Sequence, residues 1–249
     1  DMYNGETYDA TKKEGKSVPA VCFHHPKQIL LPLQGVPIRE HEVFSSPKLI
    51  RTPKGETVLD FGQELTGYIR VHICGKRGET MRIRHFEVLD KDGNVYTENL
   101  RSAKQEVRLV LSGEPIDYQP RYTFYGFRYI QVLYDGTVNP DDFEAVAVYS
   151  DIRRTGSFSC SHDLLNQLYH NVIWGQKGNF LDVPTDCPQR DERLGWTGDA
   201  QVFCRTAAIN FDVERFFDKW LADLAAEQEE SGEIPCVCPC GQFNVRMSS

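Results

Sequence analysis

Between Asp182 and Asp199 the chain sets five carboxylates, Asp182, Asp186, Asp191, Glu192 and Asp199, among Arg190, Arg193 and Trp196. Neighbouring negative charges disfavour ionisation, so a crowd of carboxylates raises the pKa of some of its members. A carboxylic acid still protonated near neutral pH can give its proton to a departing oxygen, which is the task of a glycosidase acid. Arginines hold other carboxylates ionised, so one loop can contain both states. An indole offers a flat apolar face to the C–H side of a sugar ring, and carboxylates fix hydroxyls through charge-assisted hydrogen bonds. The same composition also describes a solvated loop with structural Arg–Asp pairs. Residue types alone leave both readings open.

The elements on either side must position this loop. Pro184 and Pro188 exclude a regular helix within it, and Gly195 and Gly198 loosen its far end. Upstream, Leu164, Leu165, Leu168, Val172 and Ile173 recur at helical spacing, with Ser161, His162 or Asp163 available as a cap. Downstream, a second helix is predicted from about Asp199 to Ile209. A third carries Val213, Phe216, Phe217, Trp220, Leu221 and Leu224 on one stripe and stops at Gly232 and Pro235.

Earlier in the chain the period changes from helical to two. GYIRVHIC at 67–74 and TMRIRHF at 80–86 alternate apolar with polar residues, and 106–111, 129–134 and 143–149 read as further strands. Turn signals such as Lys91-Asp92-Gly93-Asn94 separate them. The expected fold is therefore multidomain β plus α, an antiparallel β-sandwich followed by helices. It divides into an extended segment at 1–19, the sandwich at 20–150 and a helical part at 151–249, with the boundary within 150–156.

Trp174, Phe203, Phe216 and Trp220 demand facing helices that this sequence does not supply, so the helical part reads as the opening of a larger, truncated array. Met2 follows an aspartate, and QFNVRMSS closes the chain without a helix or strand; both ends are expected to be cut from a longer protein.

A formal net charge of −8 argues against nucleic acid, whose phosphates call for a basic face. No apolar run approaches the roughly 20 residues that span a bilayer, so no membrane partner is expected. The eight cysteines read as buried free thiols. The Cys236-x-Cys238-x-Cys240 spacing departs from the paired pattern of zinc sites, and no metal site is expected.

TDCPQRDERLGWTGDAQ resembles the signature of bacterial α-L-rhamnosidases of glycoside hydrolase family 78. GETYDA, VLDFGQELTGYIRV, YTFYGFRYIQV and GSFSCSHDLLNQLYHNVIWGQKGN resemble further segments of that family, in the same order. The resemblance implies a β-sandwich packed before an (α/α)₆ barrel, no cofactor, and inverting hydrolysis of terminal α-L-rhamnosides, with a rhamnose-containing oligosaccharide or glycoside as partner. It implies Glu192 as the general acid. Asp186 and Asp199 match carboxylates that hold rhamnose hydroxyls or support the acid, Trp196 a sugar-contacting aromatic, and Arg190 a loop arginine grouped with the substrate-binding residues. The water-activating glutamate of the family lies in a later barrel segment that nothing up to Ser249 matches.

Structural alternatives stand beside these roles. Asp199 could cap a helix, Trp196 could be core packing, Asp191 competes with Glu192 as the acid, and Asp182 reads as a loop or cap residue. A carbohydrate-binding sandwich would expose Tyr122, Phe124, Tyr125, Phe127 and Tyr129 on one face, although most of these should alternate into the core. Another α/α-barrel glycosidase of different sugar preference would carry similar loop chemistry.

Overall fold

The computed structural model describes residues 1–12, 15–28 and 30–240. The closing stretch 241–249, expected to be irregular, lies outside the described residues. Nine strands form one sheet: β1 (Glu6–Asp9), β2 (Ile38–Phe44), β3 (Lys48–Arg51), β4 (Thr57–Ile73), β5 (Thr80–Phe86), β6 (Glu106–Val110), β7 (Ile116–Tyr118), β8 (Tyr125–Leu133) and β9 (Phe143–Ser150). Three helices follow, α1 (Asp163–Asn179), α2 (Thr197–Asn210) and α3 (Glu214–Glu227). Two short strands, β10 (Phe180–Leu181) and β11 (Val183–Pro184), pair in the loop between α1 and α2.

The expected antiparallel sandwich is corrected in two respects. The strands make one continuous sheet, ordered β1-β6-β5-β8-β4-β9-β2, and it is mixed because β1 runs parallel to β6. The cause lies in β4. At 17 residues it has room for two neighbours along each edge, β8 then β7 on one and β3 then β9 on the other. Its register against β8 breaks between Asp60 and Leu65, where Gly62 takes φ 78°. Such an insertion bends a strand and increases its twist. A bent strand with four neighbours curls the sheet around one core instead of dividing it into two layers.

That core is built from alternate residues of the pleat. Leu59, Ile69, Met81, Ile83, Leu109 and Phe127 are fully buried. Tyr125, Phe127 and Tyr129 are buried and Phe124 partly so, while Tyr122 stands exposed. The row of aromatic residues therefore belongs mainly to the core and offers no exposed sugar-binding platform.

The helices sit differently. Trp174 packs against the sheet core, and Phe180, Phe211 and Phe216 join Ile173 and Ala207 in a second cluster. The predicted apolar face of α1 is covered only at its C-terminal end among the described residues: Ile173 is buried, whereas Leu164 is 74% and Leu168 57% exposed. Trp220 is buried on Cys238 and Ala200. All eight cysteines are free, but only Cys187 and Cys238 are buried; Cys22 and Cys74 are exposed and the others intermediate. The expectation of uniformly buried thiols fails because most of them sit in loops or on open helix faces.

Candidate active site

The 182–199 loop leaves α1 through β10 and β11, and Asp182 makes the single-residue turn between these strands with φ 66°. Its carboxylate accepts from Lys219 Nζ on α3 at 2.8 Å, so it is a structural tie. Asp186 closes the next turn. Its backbone N–H donates to Leu194 O at 3.0 Å, and the Leu194 N–H returns to Asp186 Oδ1 at 2.9 Å.

Inside this closed turn Arg190 reaches two carboxylates, Asp186 Oδ2 at 3.1 Å and Glu192 Oε2 at 2.8 Å. Asp186, Arg190 and Glu192 are thus one cluster. Partial burial would raise the Glu192 carboxyl, but the hydrogen bond and charge of Arg190, then the charge of Arg101, outweigh it and hold it below the ordinary carboxylate range. This reverses the expectation drawn from carboxylate crowding, because each nearby carboxylate comes with its own donor. Asp191 is turned away and accepts from Ser102, whose hydroxyl and backbone N–H hold it low. Its hydrogen bonds to Ser102 hold it outside the Asp186–Arg190–Glu192 cluster.

The Trp196 indole is partly buried beside Glu192, with its Nε1–H facing the carboxylate but outside hydrogen-bond geometry. Asp199 lies in the first turn of α2 and caps nothing, since the N-cap position falls on Trp196 and has no side-chain cap bond. Its exposed carboxylate lines a cavity of about 610 Å³ between α1 and α2, shared with Asp186, Asn179, Thr185, Phe203 and Phe217. Glu192, Arg190 and Trp196 do not line it. Asp186 is the residue common to the acid cluster and the cavity.

Asp186, Cys187 and Glu192 bring their ligating atoms within 4.8 Å of one another. Two features weigh against a metal there. Arg190 already bonds both carboxylates, and burial with the neighbouring Asp186 pushes the Cys187 thiol up to about 12. A protonated thiol is a poor ligand.

Several contacts that matter to this geometry were not read from the sequence. Arg193, read as a partner for carboxylates, instead bonds carbonyls. It is buried, with φ 57°, and donates to Met2 O at 2.8 Å, Phe124 O at 2.7 Å, Gln189 O at 3.1 Å, Arg190 O at 3.1 Å and Gln105 Oε1 at 3.0 Å. Burial lowers its pKa to about 10. Tyr3 donates to the Glu192 carbonyl at 2.8 Å, and Arg101 donates to Glu192 Oε2 at 3.1 Å. The sheet makes room for the loop at Gly126 on β8, where a Cβ would stand 2.6 Å from Pro188 Cγ. These contacts span up to 191 positions, so no local pattern announces them.

Two family profiles cover most of the chain. Residues 50–149 match the bacterial alpha-L-rhamnosidase concanavalin-like domain, and 153–248 match the bacterial alpha-L-rhamnosidase 6 hairpin glycosidase domain. An alpha-L-rhamnosidase of Streptomyces avermitilis is 39% identical over 96% of this chain, which spans 24% of that relative. Among solved structures, an alpha-L-rhamnosidase from Dictyoglumus thermophilum superposes with a TM-score of 0.86 at 36% identity, covering 96% of this chain and 28% of its own. The Streptomyces avermitilis enzyme complexed with L-rhamnose superposes at 0.79 with 41% identity, covering 83% of this chain and 20% of its own. The chain spans about a quarter of the curated relatives it matches.

Proposed function

Because the chain belongs to the bacterial α-L-rhamnosidase family, we propose that it carries the proton-donating part of a site that hydrolyses terminal α-L-rhamnosides with inversion of configuration. The observation that carries this reading is the Asp186–Arg190–Glu192 cluster, set at the edge of a cavity that also holds Asp199. In this reading the three helices open a six-hairpin (α/α)₆ barrel.

Glu192 is the general acid, giving its proton to the glycosidic oxygen as the bond to the anomeric carbon breaks. Arg190 orients that carboxyl and Asp186 together. Asp186 and Asp199, which line the cavity, take sugar hydroxyls, and Trp196 contacts the sugar beside Glu192. In the ligand-free state the arginines favour ionised Glu192. Proton donation therefore requires their grip to weaken once a sugar rests against the acid.

Inversion needs a second carboxylate about 6.5–9.5 Å from the first, with a water between. Asp186 does not meet that need, because it lies within 4.8 Å of Glu192 and shares Arg190 with it. As the family resemblance implies, we assign the base to a later segment outside the 249 residues, so this polypeptide alone should not turn over substrate. In the full-length protein, Glu192→Gln should lower turnover of a rhamnoside with a poor leaving group by about 10²–10⁴-fold. Near-normal turnover would sink the assignment. The sugar first released should have the opposite anomeric configuration to the substrate, and an NMR time course showing retention would refute inversion.

A further inference from the structure

The acid loop does not shape itself. Among the described residues, five non-glycine positions hold a positive φ, and three of them, Arg101 (56°), Gln105 (47°) and Arg193 (57°), meet at one junction between the sheet and the loop. Backbone held in this region costs on the order of 1 kcal/mol per residue and persists where the surroundings enforce it. Arg101 and Ser102 follow a single turn of 3-10 helix, Glu98–Leu100, in the connection between β5 and β6. Arg101 Nη1 lies 3.1 Å from Glu192 Oε2 and 3.7 Å from Asp191 Oδ1. Ser102 binds Asp191 through its backbone N–H at 3.2 Å and also through its hydroxyl. Three residues on, Gln105 accepts from the buried Arg193.

We propose that the Arg101–Ser102 turn of the sheet is a positioning element for the acid, Ser102 holding Asp191 aside while Arg101 sets the orientation of Glu192. This rests on Glu192 being the acid. Two consecutive carboxylates on a loop would otherwise compete for the same donors. The turn separates them, giving Asp191 two hydrogen bonds from Ser102 and leaving Glu192 between two arginines. The arginines differ in kind. Arg190 belongs to the loop itself, whereas Arg101 reaches in from the β5–β6 connection and is more than half exposed, with 56% of its side-chain surface open. Arg101 is therefore the partner that an arriving substrate can displace.

The groups facing Glu192 come from four directions. Arg190, Asp191, Asp186 and Cys187 lie on its own loop, Trp196 at the start of α2, Arg101 at the turn, and Tyr3 at its backbone carbonyl. Beneath Arg190 lies Glu87, which accepts from Asn99 at 2.7 Å and is raised by burial. Of the two cations acting on Glu192, Arg190 lies on its own loop and Arg101 comes from the connection between β5 and β6.

The test is the pH profile of kcat/KM in the full-length protein. An acid must be protonated in the free enzyme, so activity falls as pH rises through its pKa. Removing a nearby cation raises that pKa. Arg101→Ala should therefore move the descending, high-pH limb upward and lower kcat/KM at the optimum by about 10- to 100-fold through misplacement. Arg101→Lys, which keeps the charge, should restore the limb to its wild-type position. Ser102→Ala should lower the rate without moving the limb. A uniform loss in Arg101→Ala with an unmoved limb would make the arginine merely structural and overturn the proposal, as would an unchanged profile. Glu192→Gln separates the two claims. If it retains normal turnover, the acid assignment falls and the proposal with it; if it is inactive while Arg101→Ala behaves as wild type, the proposal alone falls.

Discussion

The sheet and the helices treat the 182–199 loop in opposite ways. On the sheet side the chain is closed: Leu59, Ile69 and Phe127 are sealed in one core, and Arg193 is driven into it with five hydrogen bonds. On the helix side it is open. Val202 is 84% and Ile209 72% exposed on α2, and Asp199 faces a cavity of about 610 Å³. Glu192, the proposed acid, sits on the closed side with Asp186, whereas Asp199 stands on the open one and Asp186 bridges the two. Under the proposed function this is a division of labour, in which the sheet and its β5–β6 connection hold Glu192 and the helices form the walls of the cavity. Sites built on supported elements hold geometry better than free loops.

The contrast can be broken most severely at the acid, where Glu192→Gln carries the largest expected effect on turnover. Next comes the anchor. Arg193→Met should cost about 3 kcal/mol or more of stability, because carbonyls of Met2, Phe124, Gln189 and Arg190 lose a buried charged donor. It should also release the acid loop, read as faster proteolysis within 186–194. A variant as stable as wild type would show that the sheet does not hold the loop.

Gly126→Ala is a smaller version of the same test. Its methyl would meet Pro188 Cγ at 2.6 Å and Gln189 Cβ at 3.0 Å, so the loop must lift, at about 1–3 kcal/mol by thermal melting.

A pH test reaches the layer beneath. His85 is buried, stacked on Tyr125 at 3.9 Å, and bonded to the carbonyl of Gln105, whose side chain holds Arg193. Burial lowers its pKa from 6.5 to about 3. The unfolded chain therefore binds a proton that the folded chain refuses, and stability present above pH 6.5 is lost as pH falls toward about 3. Glu64 and Glu87, raised by burial, act in the opposite sense. The readout is the difference between wild type and His85→Phe, which should lose less stability on acidification. Equal slopes would refute it.

The smallest effect belongs to the open side. In this chain Leu168→Glu on α1 should change stability by no more than about 0.5 kcal/mol, as expected at an exposed position. A larger cost in the full-length protein would reveal that this face is covered there.

Much of the fold was legible in sequence where the signal is local. TMRIRHF alternates and is β5 without a residue's error; Phe216 and Trp220 recur at helical spacing and are buried on α3. The strands that escaped, β1, β2, β3 and β7, are short or exposed and carry little apolar alternation. The single curled sheet was not legible, since it depends on one long strand pairing with four partners distant in sequence. At the site, Asp186, Arg190, Glu192 and Trp196 were recognisable from their order in one loop, and the structure gathers them around Arg190 and Glu192.

The sequence by itself determined which side chains could do the chemistry, because residue type and spacing within one loop are local properties. Tertiary structure decided their states. Against its partial burial, Glu192 is lowered first by Arg190 of its own loop and then by Arg101 from the β5–β6 connection, and Ser102 of that connection decides which of the two adjacent carboxylates faces the cluster. Electrostatic effects fall with distance in space rather than along the chain, so both the closing of the loop around Arg190 and the approach of Arg101 and Ser102 were needed to settle them.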